Sequence, residues 1–124
     1  MSCRAYVFGA LVAAAAVAVA VPAAAQSAGR NCPPYGSVRS INSKAPAEVI
    51  FLNFTKIPLT IMWIDFDGQW RKYHTLAPNA AATQRTFGTH PWIAVDERGN
   101  CHGRVMYPNP NSRDGGDNRF EIYD

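Results

Sequence analysis

The sequence predicts an all-β protein, a small antiparallel β-sandwich of about seven strands preceded by a signal peptide. Three observations lead there. Short runs rich in β-branched and aromatic residues recur along the chain, each closed by Gly, Pro, Asn or Asp. They follow one another at about 10–15 residues, the spacing expected of sandwich or small-barrel strands. Beyond residue 25, no window keeps the 3.6-residue period of an amphipathic helix.

The first 25 residues stand apart. Arg4 supplies a short positive start, residues 5–21 are almost wholly apolar, and Ala23-Ala24-Ala25 offers a small-x-small cleavage site before Gln26. An uncleaved membrane anchor is the competing reading, because the run approaches a bilayer span. Its apolar residues are mainly alanine and it ends at Pro22, beside the cleavage site, which favours export and removal. No lipobox cysteine follows. Residues 26–37 are turn-rich and read as a lead-in, and residues 38–124 as one β domain.

Seven strands are expected in that domain. They run from Glu48 to Phe54, Ile57 to Phe66, Trp70 to Thr75, Ala82 to Phe87, Pro91 to Asp96, His102 to Tyr107 and Asn118 to Tyr123. Asp67-Gly68, Ala77-Pro78-Asn79, Gly88-Thr89 and Arg98-Gly99-Asn100 are turn formers between them. Residues 108–117, rich in Pro, Asn and Gly, form a loop. The second strand is apolar on both faces, as suits a central strand covered on both sides. Phe51, Ile61, Ile64, Phe66, Leu76 and Ile93 read as core, and Trp70 as surface or edge packing.

The turn after Phe66 sets which side chains meet. A two-residue loop would place Trp63 opposite Lys72 and turn Tyr73 to the other face. A three-residue loop, Phe66-Asp67-Gly68 with Gly68 in the left-handed conformation, pairs Asp65 with Gln69 and brings Trp63 and Tyr73 to one side. His90 and Trp92 also share a face if their segment is extended. A joint site requires the odd loop.

Removing the leader leaves 99 residues, and a domain of that size buries a modest share of its surface, so a covalent staple would help. Cys3 leaves with the leader. Cys32 and Cys101 remain, and in an oxidising compartment they are expected to form a disulfide rather than stay as free thiols. The mature chain has 11 basic and 9 acidic side chains, scattered without a stripe, which argues against a nucleic-acid partner.

Several motifs resemble one family. Arg-Ser-Ile-Asn-Ser-Lys-Ala-Pro (39–46), Val-Ile-Phe-Leu-Asn (49–53), Trp-Ile-Asp-Phe-Asp-Gly (63–68), Tyr-His-Thr-Leu (73–76) and His-Pro-Trp (90–92) are similar to the β domain of the von Hippel–Lindau tumour suppressor. The likeness holds without a gap from about Val38 to Val95 and weakens through Pro108. It implies a β-sandwich that binds a peptide containing 4-hydroxyproline. Trp63, Tyr73 and Trp92 would wall the pyrrolidine ring, while the Thr86 hydroxyl and the His90 imidazole bond its 4-hydroxyl. The family has serine where Thr86 stands, so a methyl group is added. Asn42 and Lys44 match positions that flank the peptide. The family's tumour suppressor continues into a helical domain that docks elongin C. This chain ends at Asp124 without one, so no elongin partner and no ubiquitin-ligase role are expected.

The chemistry is coherent by itself. Flat aromatic faces suit an apolar, rigid ring, and one hydroxyl needs a donor and an acceptor, which a Thr–His pair offers. The flanks of the peptide would lie extended along a sheet edge. The expected protein is therefore a secreted or periplasmic binding module, neither enzyme nor cofactor-dependent, and off the membrane after cleavage. Two rivals stand beside it. One is a structural exported domain whose pocket takes another ligand. The other is a metal enzyme built from His74, His90 and His102 with Asp65, Asp67 or Asp96, although no spacing matches a ligand motif.

Overall fold

A computed structural model describes residues 28–110 and 118–124, with Gly9 in isolation. The expected signal peptide, the first two lead-in residues and residues 111–117 of the expected loop lie outside the described residues.

Seven strands are present: β1 (Pro46–Asn53), β2 (Leu59–Ile64), β3 (Trp70–Leu76), β4 (Ala81–Phe87), β5 (Trp92–Val95), β6 (Cys101–Met106) and β7 (Arg119–Ile122). They form two sheets, β4-β1-β7 and β3-β2-β5-β6. Each expected strand appears within two residues of its expected ends. β2 is shorter than the sequence implies, because Ile57 and Pro58 belong to the preceding turn and Asp65 and Phe66 to the following one. One pairing departs from the antiparallel pattern: β7 runs parallel to β1, with Phe51 opposite Phe120. β6 ends in one sheet and β7 joins the other, and the connection between them is long enough to bring the chain back in the same direction.

The sandwich interior follows from strand alternation. β1 buries every second residue, so Val49 and Phe51 point inward beside Ile122. Across the gap, Leu59 and Ile61 of β2, Leu76 of β3, and Trp92 and Ala94 of β5 close the core. Buried Asn53 also faces this side and is fully engaged. Its amide donates to the carbonyls of Ile57 (2.9 Å) and Leu76 (3.0 Å), and its carbonyl accepts from Thr55.

A second apolar cluster covers the outer face of β2 and β5. Ile64, Ile93, Val95 and Cys101 are buried there under Cys32 of the lead-in and Val38 just after it, with Met62 and Trp70 alongside. This is why β2 reads as apolar on both faces. Trp70 is more than edge packing, since its ring lies 4.8 Å from that of Tyr35. A Cys32–Cys101 disulfide ties the lead-in to the start of β6.

Candidate functional site

The hairpin between β2 and β3 has the odd loop. Ile64 pairs with Trp70, and Asp65 N–H donates to the Gln69 carbonyl at 2.8 Å, which leaves Phe66-Asp67-Gly68 as the turn. Gly68 has φ +81°, and a Cβ there would lie 3.0 Å from the Gly36 backbone, so conformation and contact both demand glycine. The Asp65 carboxylate organises the turn. It accepts from the N–H groups of Asp67 (2.9 Å) and Gln69 (2.8 Å) and pairs with Arg71 at 2.7 Å. Burial pushes its pKa up, but the Arg71 and backbone hydrogen bonds outweigh that and hold it below the ordinary value.

The ladder then slips by one residue. Met62 faces Lys72 but Ile61 faces His74, so Tyr73 is the extra residue of a bulge. Both Tyr73 and His74 reach the inner side. His74 bonds Gln84 at 2.8 Å, and its ring is 6.4 Å from Phe51. Tyr73 lies over the two tryptophans, which are direct cross-strand partners on β2 and β5. Its ring centroid is 6.1 Å from that of Trp63 and 5.0 Å from that of Trp92, both edge-on.

The five residues expected to form a pocket therefore meet at one end of the sandwich. His90 stacks on Trp63 at 5.4 Å and 28°. Thr86 Oγ1 accepts the Trp92 indole N–H at 3.0 Å, which leaves the threonine proton as a donor. No hydrogen bond joins Thr86 to His90, and neither ring nitrogen of His90 has a partner among the described residues. Asn42 and Lys44 are exposed on the segment beside them. That segment is tied to the turn before His90 by Thr89 Oγ1 donating to the Ile41 carbonyl and Gly88 N–H donating to that of Ala45.

The walls are unequal. Trp92 is 2% exposed and packs on Phe51 at 5.3 Å, so it belongs to the core as well as to the cluster. Tyr73 is 46% exposed. Phe66 is a correction: expected in the core, it is 43% exposed, because it sits in the turn, where strand alternation has ended. Its ring lies 5.6 Å from Trp63 and 5.3 Å from His90. Phe87 stands 5.1 Å from His90 as well. Sequence reading also missed Ser40, whose buried hydroxyl accepts the Trp63 indole N–H at 2.8 Å and donates to the Ile64 carbonyl. The Arg-Ser motif held the signal, but nothing local indicates that Ser40 reaches β2.

A family model described as VHL beta domain matches residues 38–105. The chain belongs to the VHL beta domain family. All five residues of the aromatic cluster lie within the matched stretch, as do Asn42 and Lys44, whereas Cys32, Tyr35 and β7 lie outside it. A VHL beta domain is a protein-binding domain for substrate recognition.

The remaining histidines are dispersed in this VHL beta domain. His102 bonds Asp96 at 2.9 Å beside the β5–β6 turn, far in the ladder from His90. Among the described residues no group of three His, Cys, Asp or Glu side chains is placed to hold a metal ion.

Burial lowers the His90 pKa from its ordinary 6.5, so the ring is neutral at pH 7 and keeps one nitrogen as an acceptor. The unfolded chain takes up this proton first, so the stability His90 contributes is complete above about 6.5 and declines as pH falls through that value. Melting curves of wild type and His90→Gln from about pH 7.5 to 5.5 should show a steeper decline in the wild type. Parallel declines would mean that the ring is not held neutral.

Proposed function

We propose that the protein is an exported, non-catalytic module that binds a segment of another protein through a prolyl ring hydroxylated at C4. The observation that carries this reading is the convergence of Trp63, Tyr73 and Trp92 with a Thr86 hydroxyl proton and a His90 imidazole, neither of them spent on a protein partner. The aromatic faces offer contact to the ring, Thr86 can donate to the hydroxyl, and neutral His90 can accept from it. Export is supported by the leader-like start of the sequence and by the disulfide, which persists in oxidising compartments. A non-catalytic role is supported by the scatter of the histidines over unrelated surroundings.

Discrimination between hydroxyproline and proline would come from what proline leaves unmade. An unpaired buried polar group costs about 1–3 kcal/mol, which is roughly five- to 150-fold in affinity. Calorimetric titration with matched peptides should therefore show heat from the hydroxylated form and at least about fivefold weaker binding of the proline form. Equal heats, or none from either, would remove the hydroxyl-reading role.

A further inference from the structure

We propose that the outer face of the second sheet carries a separate site for an arginine side chain of a peptide. A groove of about 740 Å³ lies there, on the opposite side of β2 from the aromatic cluster. That volume falls in the range of small-ligand sites. Met62 and Val95 form an apolar floor, and Tyr35 and Trp70, with ring centroids 4.8 Å apart, line it from the side of the lead-in. The disulfide holds the lead-in, and hence Tyr35, in place.

Charge selects the occupant. The lining holds three carboxylates, Asp67, Asp96 and Glu97, and no cation. Asp96 is engaged by His102 and by the N–H groups of Arg98 and Asn100. The carboxylates of Asp67 and Glu97 are exposed and have no hydrogen-bond or ion-pair partner among the described residues. Lys72 stands across the ladder from Met62, and Arg98 follows Glu97, but neither lines the groove nor forms an ion pair there. Two aromatic rings tilted at 56° to each other, an apolar floor and two unspent carboxylates match a hydrocarbon stem that ends in a planar cation. The guanidinium of arginine stacks on indole and pairs with a carboxylate through two N–H groups, whereas the compact ammonium of lysine is more strongly hydrated.

The test is a titration of the ¹⁵N-labelled, disulfide-bonded chain, followed by NMR. The probes are a blocked Gly-Arg-Gly peptide and its citrulline counterpart, which keeps the shape and removes the charge. Saturable shifts are expected at the amides of Gly36, Gly68 and Gly99 and at the Trp70 indole, with the citrulline peptide at least about fivefold weaker. Glu97→Gln, an exposed change that leaves the packing alone, should weaken the arginine peptide by about threefold or more. Trp70→Ala should weaken it further. Because Trp70 also packs in the outer cluster, Glu97→Gln is the deciding variant if Trp70→Ala does not fold. An absence of saturable shifts, equal affinity for citrulline, no effect of Glu97→Gln, or shifts confined to Trp63 and His90 would overturn the proposal.

Discussion

Replacing Trp92 by alanine is expected to cost about 3–5 kcal/mol of stability, a large part of the 5–15 kcal/mol that holds a typical domain together. The indole is almost wholly buried, packs on Phe51, and gives its N–H to Thr86. Removing it opens a cavity between the sheets and strands a buried hydroxyl. Chemical denaturation should show the loss directly, and a change below about 1 kcal/mol would mean that Trp92 is not part of the core. An alanine variant therefore cannot separate a binding role from a structural one at this position. Trp92→Phe can. It keeps much of the aromatic packing while removing part of the indole and its donor to Thr86, so the domain should stay folded at a smaller loss of stability while hydroxyproline-peptide binding changes.

Breaking the disulfide by Cys32→Ser and Cys101→Ser is the second large effect. The bond spans 69 residues in sequence. Closing a loop of about that length is worth about 4 kcal/mol in the chain-entropy model. At about 4–8 °C per kcal/mol for a domain this small, the melting temperature should fall by roughly 15–30 °C. The loss should also uncover the outer cluster, since Cys32 and Val38 lie over Ile64 and Ile93. A drop of only a few degrees in a thermal melt would show that the lead-in stays docked without its covalent tie.

The parts of the fold legible in the sequence were those governed by local chemistry. Asp-Gly marked a glycine-dependent turn but left two registers open, and the structure forms the three-residue one. An even number of cysteines after the leader indicated a bridge. Phe51 was readable as core from its place in an apolar run, whereas the alternation that also turns Val49 inward shows only in the burial of β1. What stayed hidden depends on segments distant in sequence. Ser40 acts only because residues 38–41 pack back onto the end of β2, a contact that no periodicity encodes. Trp70 gains its cover from Tyr35 for the same reason. Phe66 misled because its parity matches the inner or outer row only while the strand lasts, and the strand ends at Ile64. The direction of β7 was unreadable, since a long connection permits either sense.

The aromatic cluster itself divides along the same line. Family likeness named Trp63, Tyr73, Thr86, His90 and Trp92, loop parity bore only on whether Trp63 and Tyr73 share a face, and the structure brings the five near one another. Phe66 and Phe87, whose rings both lie near that of His90, had no signature beyond being aromatic.

The bulge at Tyr73 has a consequence for how such a site can be altered. Every other residue of β3 is matched to a partner on β2, so its position is tied to the integrity of the hairpin. Tyr73 has no opposite number. It is a supernumerary residue whose removal would let the ladder close, and whose replacement disturbs no cross-strand pair. The scaffold and this exposed ring are therefore held by different parts of the structure, although they share one seven-residue strand. A change at Tyr73 would alter the surface over the two tryptophans and leave every β2–β3 pair in place.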